Sequence, residues 1–308
     1  MVLAMTATLL LGGAVEAGGG PARRQIPASV FDRVVLGRVF QTGHWTLRDK
    51  QGQPNQTPDS VGDALAALEP TYVSGLVRIA HDEDMTQREV DAFDTIRKKV
   101  LAKSPRCKFD MVLNAMQYPT PASIEKKMSE ISAKVKVDIW FFDFYDEAYR
   151  EHGFNGFKGS KRAIEAAIAW AHRHGQWIGG NCFQPTAPPR SDFAAVATVH
   201  FKVRKPNVTA LRRKMPVILH LGNNPQSGPQ TECAVFVEQW EHDRRVKLIQ
   251  RLAARQRADG YRFMYPVFFP EWPAKQSYDS TLDKDGTTGR TTYSEIRHLI
   301  GRYDPKRR

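Results

Sequence analysis

Short apolar runs recur along the chain, and each ends in a polar cluster. They are RVVLGRVF (33–40), YVSGLVRIA (72–80), KFDMVLNAM (108–116), VDIWFFDF (137–144), QWIGGNCF (176–183), FAAVATVHF (193–201), MPVILHLG (215–222) and YRFMYPVFF (261–269). Runs rich in Val, Ile and aromatics, bounded by Gly, Pro or Asn, are the pattern of buried parallel strands. Helical spacing fills most gaps between them. TQREVDAFDTIRKKVLAKS places Val90, Phe93, Ile96, Val100 and Leu101 on one face, and Thr86 with Glu89 forms a capping box at its start. TPASIEKKMSEISAKV repeats the spacing with Ile124, Met128 and Ile131, and SKRAIEAAIAWAHRHG is a helix closed by Gly175. Further helical patterns run over 234–260, closed by Gly260, over 291–303, and briefly near NVTALRRK. The segment 41–60 is the longest polar insertion and is expected to be a linker.

Eight strand-like runs alternating with helices predict an α/β fold, a (β/α)8 TIM barrel, in one domain from about residue 28 to 303 of the 308. The competing doubly wound sheet is disfavoured, because no Gly-rich phosphate turn follows the first run.

Charge changes this picture little. The formal balance is +12, but the basic residues are spread along helix faces and the tail, and no nucleic-acid motif accompanies them. No nucleic-acid partner is expected, although an anionic polymer as substrate stays open. MVLAMTATLLLGGAVEA (1–17) reads as a signal peptide without a basic start, with Val15-Glu16-Ala17 as the cleavage site. The expectation is therefore a secreted or periplasmic monomer without a membrane span. Cys107, Cys182 and Cys233 are too few for a disulfide framework and lack zinc spacing. No cofactor and no bound metal are expected.

Barrel enzymes carry their chemistry where the strands end. Here the strand ends offer Arg38, His44 and Trp45, then His81, Asp82 and Glu83, then Asn114. The fourth run supplies Asp143, Tyr145, Asp146 and Glu147. Later runs supply Asn181, His200, His220, Asn223, Glu271 and Trp272. Amides and carboxylates bond sugar hydroxyls, and aromatic faces stack on the C–H face of a pyranose, so this lining suits a carbohydrate. Glycoside hydrolysis needs one protonated and one ionised carboxyl. Asp143 shares the parity of Ile139 and Phe141, so all three are expected to face the barrel interior. Flanking aromatics and a neighbouring carboxylate are expected to raise one pKa here. The second carboxyl is Glu147, Asp146, Glu83 or Glu271; Asp146 and Glu147 alternatively just cap the next helix. Tyr145, Asn114, Asn181 and Asn223 are expected to orient hydroxyls, with His44, Trp45 and Trp272 as cleft walls.

The segment VDIWFFDFYDE resembles the fourth-strand segment of secreted barrel glycosidases related to endo-α-1,4-polygalactosaminidases and spherulin-4-like hydrolases. The resemblance covers about ten residues and carries over Asp143 alone, as the catalytic aspartate. It implies hydrolysis of an amino-sugar polysaccharide outside the cytoplasm. Two other classes stay open. His81, His200 and His220, with Asp82 and Asp143, fit a metal-dependent hydrolase, though the His-x-His pair of such barrels is absent. A carbohydrate-binding barrel without catalysis has the same appearance in sequence.

Overall fold

The strands fall where the apolar runs are. A computed structural model describes residues 26–31, 35–37, 57–79, 84–154, 156–182, 191–197, 217–220 and 262–266. The first run holds β1 (Val35–Gly37), and the second is split into β2 (Tyr72–Val73) and β3 (Arg78–Ile79). The third and fourth hold β4 (Lys108–Asn114) and β5 (Ile139–Asp143). A hairpin, β6 (Gly153–Phe154) with β7 (Phe157–Lys158), follows. The remaining runs hold β8 (Trp177–Cys182), β9 (Phe193–Ala197), β10 (Val217–His220) and β11 (Arg262–Pro266).

Every pairing in the main sheet is parallel. β1 lies between β11 and β2; β2 and β3 both pair with β4. From there the order runs β4, β5, β8, β9, β10, β11. Crossover helices make this possible: α2 (Gln87–Lys103), α3 (Pro121–Lys134) and α5 (Lys161–Arg173) return the chain to the start of the next strand. The fold is α/β with parallel strands in a TIM-barrel-like arrangement.

The helix boundaries follow local chemistry. Thr86 caps α2 with Glu89 reaching back, as its sequence predicts. Thr120 caps α3, where Pro121 occupies a first-turn position that needs no N–H donor. Gly175 follows α5 at φ 72°, the left-handed conformation that ends a helix at least cost in glycine.

Residues 41–56 of the expected linker lie outside the described residues, and its last three residues, 58–60, open a helix instead. The segment 58–66 is a helix, α1 (Pro58–Ala66). Val61, Leu65 and Ala66 are buried against the core. Gly62, which weakens the helical pattern in the sequence, lets α1 lie close on α2: a Cβ there would sit 3.3 Å from the Ile96 Cα. Lys99 on α2 bonds Asp63 at 2.8 Å and reaches Asp59 at 3.2 Å.

Alternation along the strands divides the core in two. Phe109, Met111 and Leu113 of β4, with Trp140 and Phe142 of β5, pack against the helices. Val112, Ile139, Phe141, Trp177 and Phe193 form a second cluster with Tyr72 on the inner side. Ile26, Val30 and Phe31, from the segment before β1, join that inner cluster. The Phe193 ring lies 5.1 Å from Phe31 and 5.9 Å from Tyr72, centroid to centroid. Gly179 leaves room for it, since a Cβ there would stand 2.2 Å from Phe193 Cζ. Burying each large aromatic contributes roughly 2–3 kcal/mol.

Candidate functional site: the carboxyl ends of the fourth and fifth strands

All five residues of β5, Ile-Trp-Phe-Phe-Asp, are buried. Ile139 and Phe141 belong to the inner cluster, so alternation puts Asp143 on the same side at the strand's carboxyl end. Asn114, the last residue of β4, is its register partner. The Asn114 side chain accepts the Met116 N–H at 3.0 Å and so starts the 3-10 turn Ala115–Gln117.

The chain then bends sharply. Phe144 adopts φ 57°, ψ 32°, a left-handed conformation in which a bulky residue is strained, and α4 (Tyr145–Tyr149) begins at once. That turn brings Asp146 and Glu147 up beside the end of β5. The N-cap residue Phe144 makes no side-chain cap bond, and the Glu147 carboxyl accepts its own backbone N–H in the first turn. Asp143 is 8% and Asp146 3% exposed, while Glu147 is half-buried.

These three carboxyl groups shape one another. Burial first, then a hydrogen bond with Asp146 and the Asp146 and Asp143 charges, push Glu147 up from 4.5 to about 9. Its Oε2 is buried and has no hydrogen-bond partner among the described residues. The dipole of a five-residue helix favours the charged form only slightly; desolvation and like charge win here. At neutral pH Glu147 therefore keeps its proton, as a general acid must.

The support beneath the cluster is tight. Tyr145 is fully buried and packs over Gly180, where a Cβ would lie 2.7 Å from Tyr145 Cγ. It stacks on Tyr149 at 6.2 Å. The structure thus puts Tyr145 in the layer between strands and helices, not in the mouth where it was expected to orient hydroxyls. The β6–β7 hairpin is bound to α4 by the His152 N–H donating to the Glu147 carbonyl at 3.0 Å.

Asp143 and Asp146 lie close enough to Glu147 to act on its carboxyl, and Asn114 is the register partner of Asp143. Asn181 and His220 lie near the carboxyl ends of β8 and β10, described by backbone alone. Arg38, His44, Trp45, His81, Glu83, His200, Asn223, Glu271 and Trp272 lie outside the described residues, as does the 1–17 segment. Among the described residues, no group of three His, Cys, Asp or Glu side chains is arranged to hold a metal ion, and no helix is long and apolar enough to cross a membrane.

Sequence reasoning passed over Asp110. It lies in mid-strand on β4, fully buried, and accepts hydrogen bonds from Tyr72, Ser74 and the Gly75 N–H. The signal was present as a lone carboxylate at the parity of Val112 and Asn114. A cavity of about 660 Å3 opens at the opposite, amino edge, lined by Lys108, Asp138, Gln176 and Trp177 among others. Asp138 there is taken up by Lys108 at 3.8 Å, Arg97 at 3.9 Å and the Phe109 N–H at 3.1 Å. We place the candidate chemistry at the carboxyl edge instead, since a raised carboxyl group stands there beside two others.

No known sequence family and no curated protein sequence matches the chain. Solved structures resemble it in shape. Parabacteroides merdae β-glucuronidase is 12% identical with a TM-score of 0.41, over 76% of this chain and 31% of that one. The chain therefore spans about a third of that enzyme's length. Rhizobium etli pyruvate carboxylase is 11% identical with a TM-score of 0.43, over 90% of this chain and 28% of that one. The AHE enzyme from Alicyclobacillus herbarius is 10% identical with a TM-score of 0.48, over 92% of this chain and 98% of that one.

Proposed function

We propose that the chain is a (β/α)8-barrel glycoside hydrolase that cleaves a polysaccharide, with Glu147 as general acid and Asp143 as its ionised partner. The observation that carries the reading is the carboxyl cluster at the end of β5, in which burial and Asp146 keep one carboxyl protonated. The pairings β1–β2, β2–β4 and β1–β11 support the complete barrel, because they join the two halves of the sheet. The β-glucuronidase of Parabacteroides merdae is too distant in sequence and shape to carry an argument for this chain.

In this reading Glu147 gives its proton to the glycosidic oxygen as the bond to the anomeric carbon breaks. Asp143 stabilises the positive charge that develops on the sugar, then either adds to that carbon or takes a proton from the attacking water. Asp146 is a positioning residue, holding the Glu147 carboxyl by hydrogen bond. Asn114 stands at the register position to bond a hydroxyl. The resemblance of the β5 segment to polygalactosaminidase-like enzymes favours an amino-sugar polymer, and the apolar 1–17 segment favours action outside the cytoplasm.

The test is release of reducing ends from amino-sugar, acidic and neutral polysaccharides by the full chain. Asp143→Asn and Glu147→Gln should each reduce turnover by at least ~10²-fold while the protein stays folded. Binding of sugar without release of reducing ends identifies a carbohydrate-binding barrel instead. An Asp143→Asn protein as active as wild type removes Asp143 from the chemistry.

A further inference from the structure

The second strand carries a register shift. Tyr72 and Val73 pair with Lys108 and Phe109, whereas Arg78 and Ile79 pair with Val112 and Leu113. Four residues, Ser74 to Val77, thus face the two residues Asp110 and Met111, a bulge with two residues in excess. Bulged backbone loses ladder partners, and here a side chain replaces them. Asp110 Oδ1 accepts the Gly75 N–H at 2.7 Å. Its Oδ2 accepts the Tyr72 hydroxyl at 2.6 Å and also meets the Ser74 hydroxyl. Gly75 sits at φ 74°, where a side chain would be strained. Beyond the bulge the ladder resumes with the Val112 N–H donating to the Val77 carbonyl at 3.2 Å.

Asp110 is 0% exposed, and the groups that act on it among the described residues are Ser74, Tyr72 and the Gly75 N–H, none of them a cation. From β2 and the bulge it faces Tyr72, Ser74 and Gly75; from β5, Ile139 is its register partner. A carboxylate there is costly even with three donors. A carboxylic acid keeps all three contacts: its proton goes to the Ser74 oxygen, while Tyr72 and Gly75 still donate to it.

We propose that Asp110 is a proton-linked clip on this register shift, holding the bulge shut when protonated and letting it open more readily when ionised. The clip acts on the strand that leads, within four residues of Ile79, to His81 and Glu83. It is independent of the carbohydrate reading. Burial raises Asp110 from 3.8 to about 6, more than its hydrogen bonds lower it. The sign follows: a proton held more tightly in the closed form favours closure at low pH, and that advantage fades as pH rises from about 4 to 6.

Amide hydrogen exchange of the 72–79 segment in the full chain, corrected for intrinsic rates, tests this. Opening should increase about tenfold per pH unit across that window, up to roughly 10²-fold, and then level off. Asp110→Asn, which carries the same donor without the charge, should be flat with pH at the slow value. Flat exchange in the wild type, or an Asp110→Asn protein that keeps the wild-type slope, overturns the clip.

Discussion

Glu147 should hold its proton well above neutrality. Its carboxyl is raised from 4.5 to about 9, with burial as the largest cause and Asp146 next. At pH 7 the carboxyl therefore keeps its proton. Carbon-13 NMR of glutamate-labelled protein, with Glu147→Gln to assign the resonance, measures this directly. Asp146→Asn removes a charge and the carboxyl partner, so the titration should move down. It should stay above 4.5, because the burial remains. Stability gives a second readout. A proton bound more tightly by the folded than by the unfolded chain favours folding at low pH, and this contribution is lost as pH rises from 4.5 towards 9. Glu147→Gln, neutral throughout, should match wild type near pH 5 and surpass it near pH 9 in urea unfolding. A Glu147 resonance that titrates below pH 6, or one that rises on Asp146→Asn, refutes the reasoning and removes Glu147 as the acid.

Gly179→Ala should cost roughly 1–3 kcal/mol by driving a methyl group into the Phe193 ring; denaturant melts should show partial recovery when Phe193→Leu is added, and purely additive losses count against the contact. Phe31→Ala should cost about 3–5 kcal/mol in the same assay, because its ring closes the inner cluster against Tyr72 and Phe193. Cys107 is buried, and burial pushes its thiol up; peptide mapping after alkylation should find it unmodified in the native protein and modified in urea.

The positions of the strands were legible in the sequence because burial on both sides imposes continuous apolar runs, and all eight runs hold a strand in the structure. Capping chemistry marked the starts of α2 and α3 for a similar reason: it is local, and Thr86 bonds a residue only three positions away. Alternation along a strand is also local, so the inward side of Asp143 followed from Ile139 and Phe141. Long-range packing decided the rest. The α1 helix was hidden because Gly62 lowers its propensity, and only contact with α2 explains a glycine there. Tyr145 and Asp143 stand two residues apart in sequence, but the left-handed turn at Phe144 sends the tyrosine into the core over Gly180. The Asp110 clip joins residues 35 to 38 positions apart, and the register shift that calls for it exists only once β2, β3 and β4 pair. The carboxylates were visible as letters, but which of them keeps its proton depends on burial and on the closeness of Asp146, and those arise only when the chain is folded.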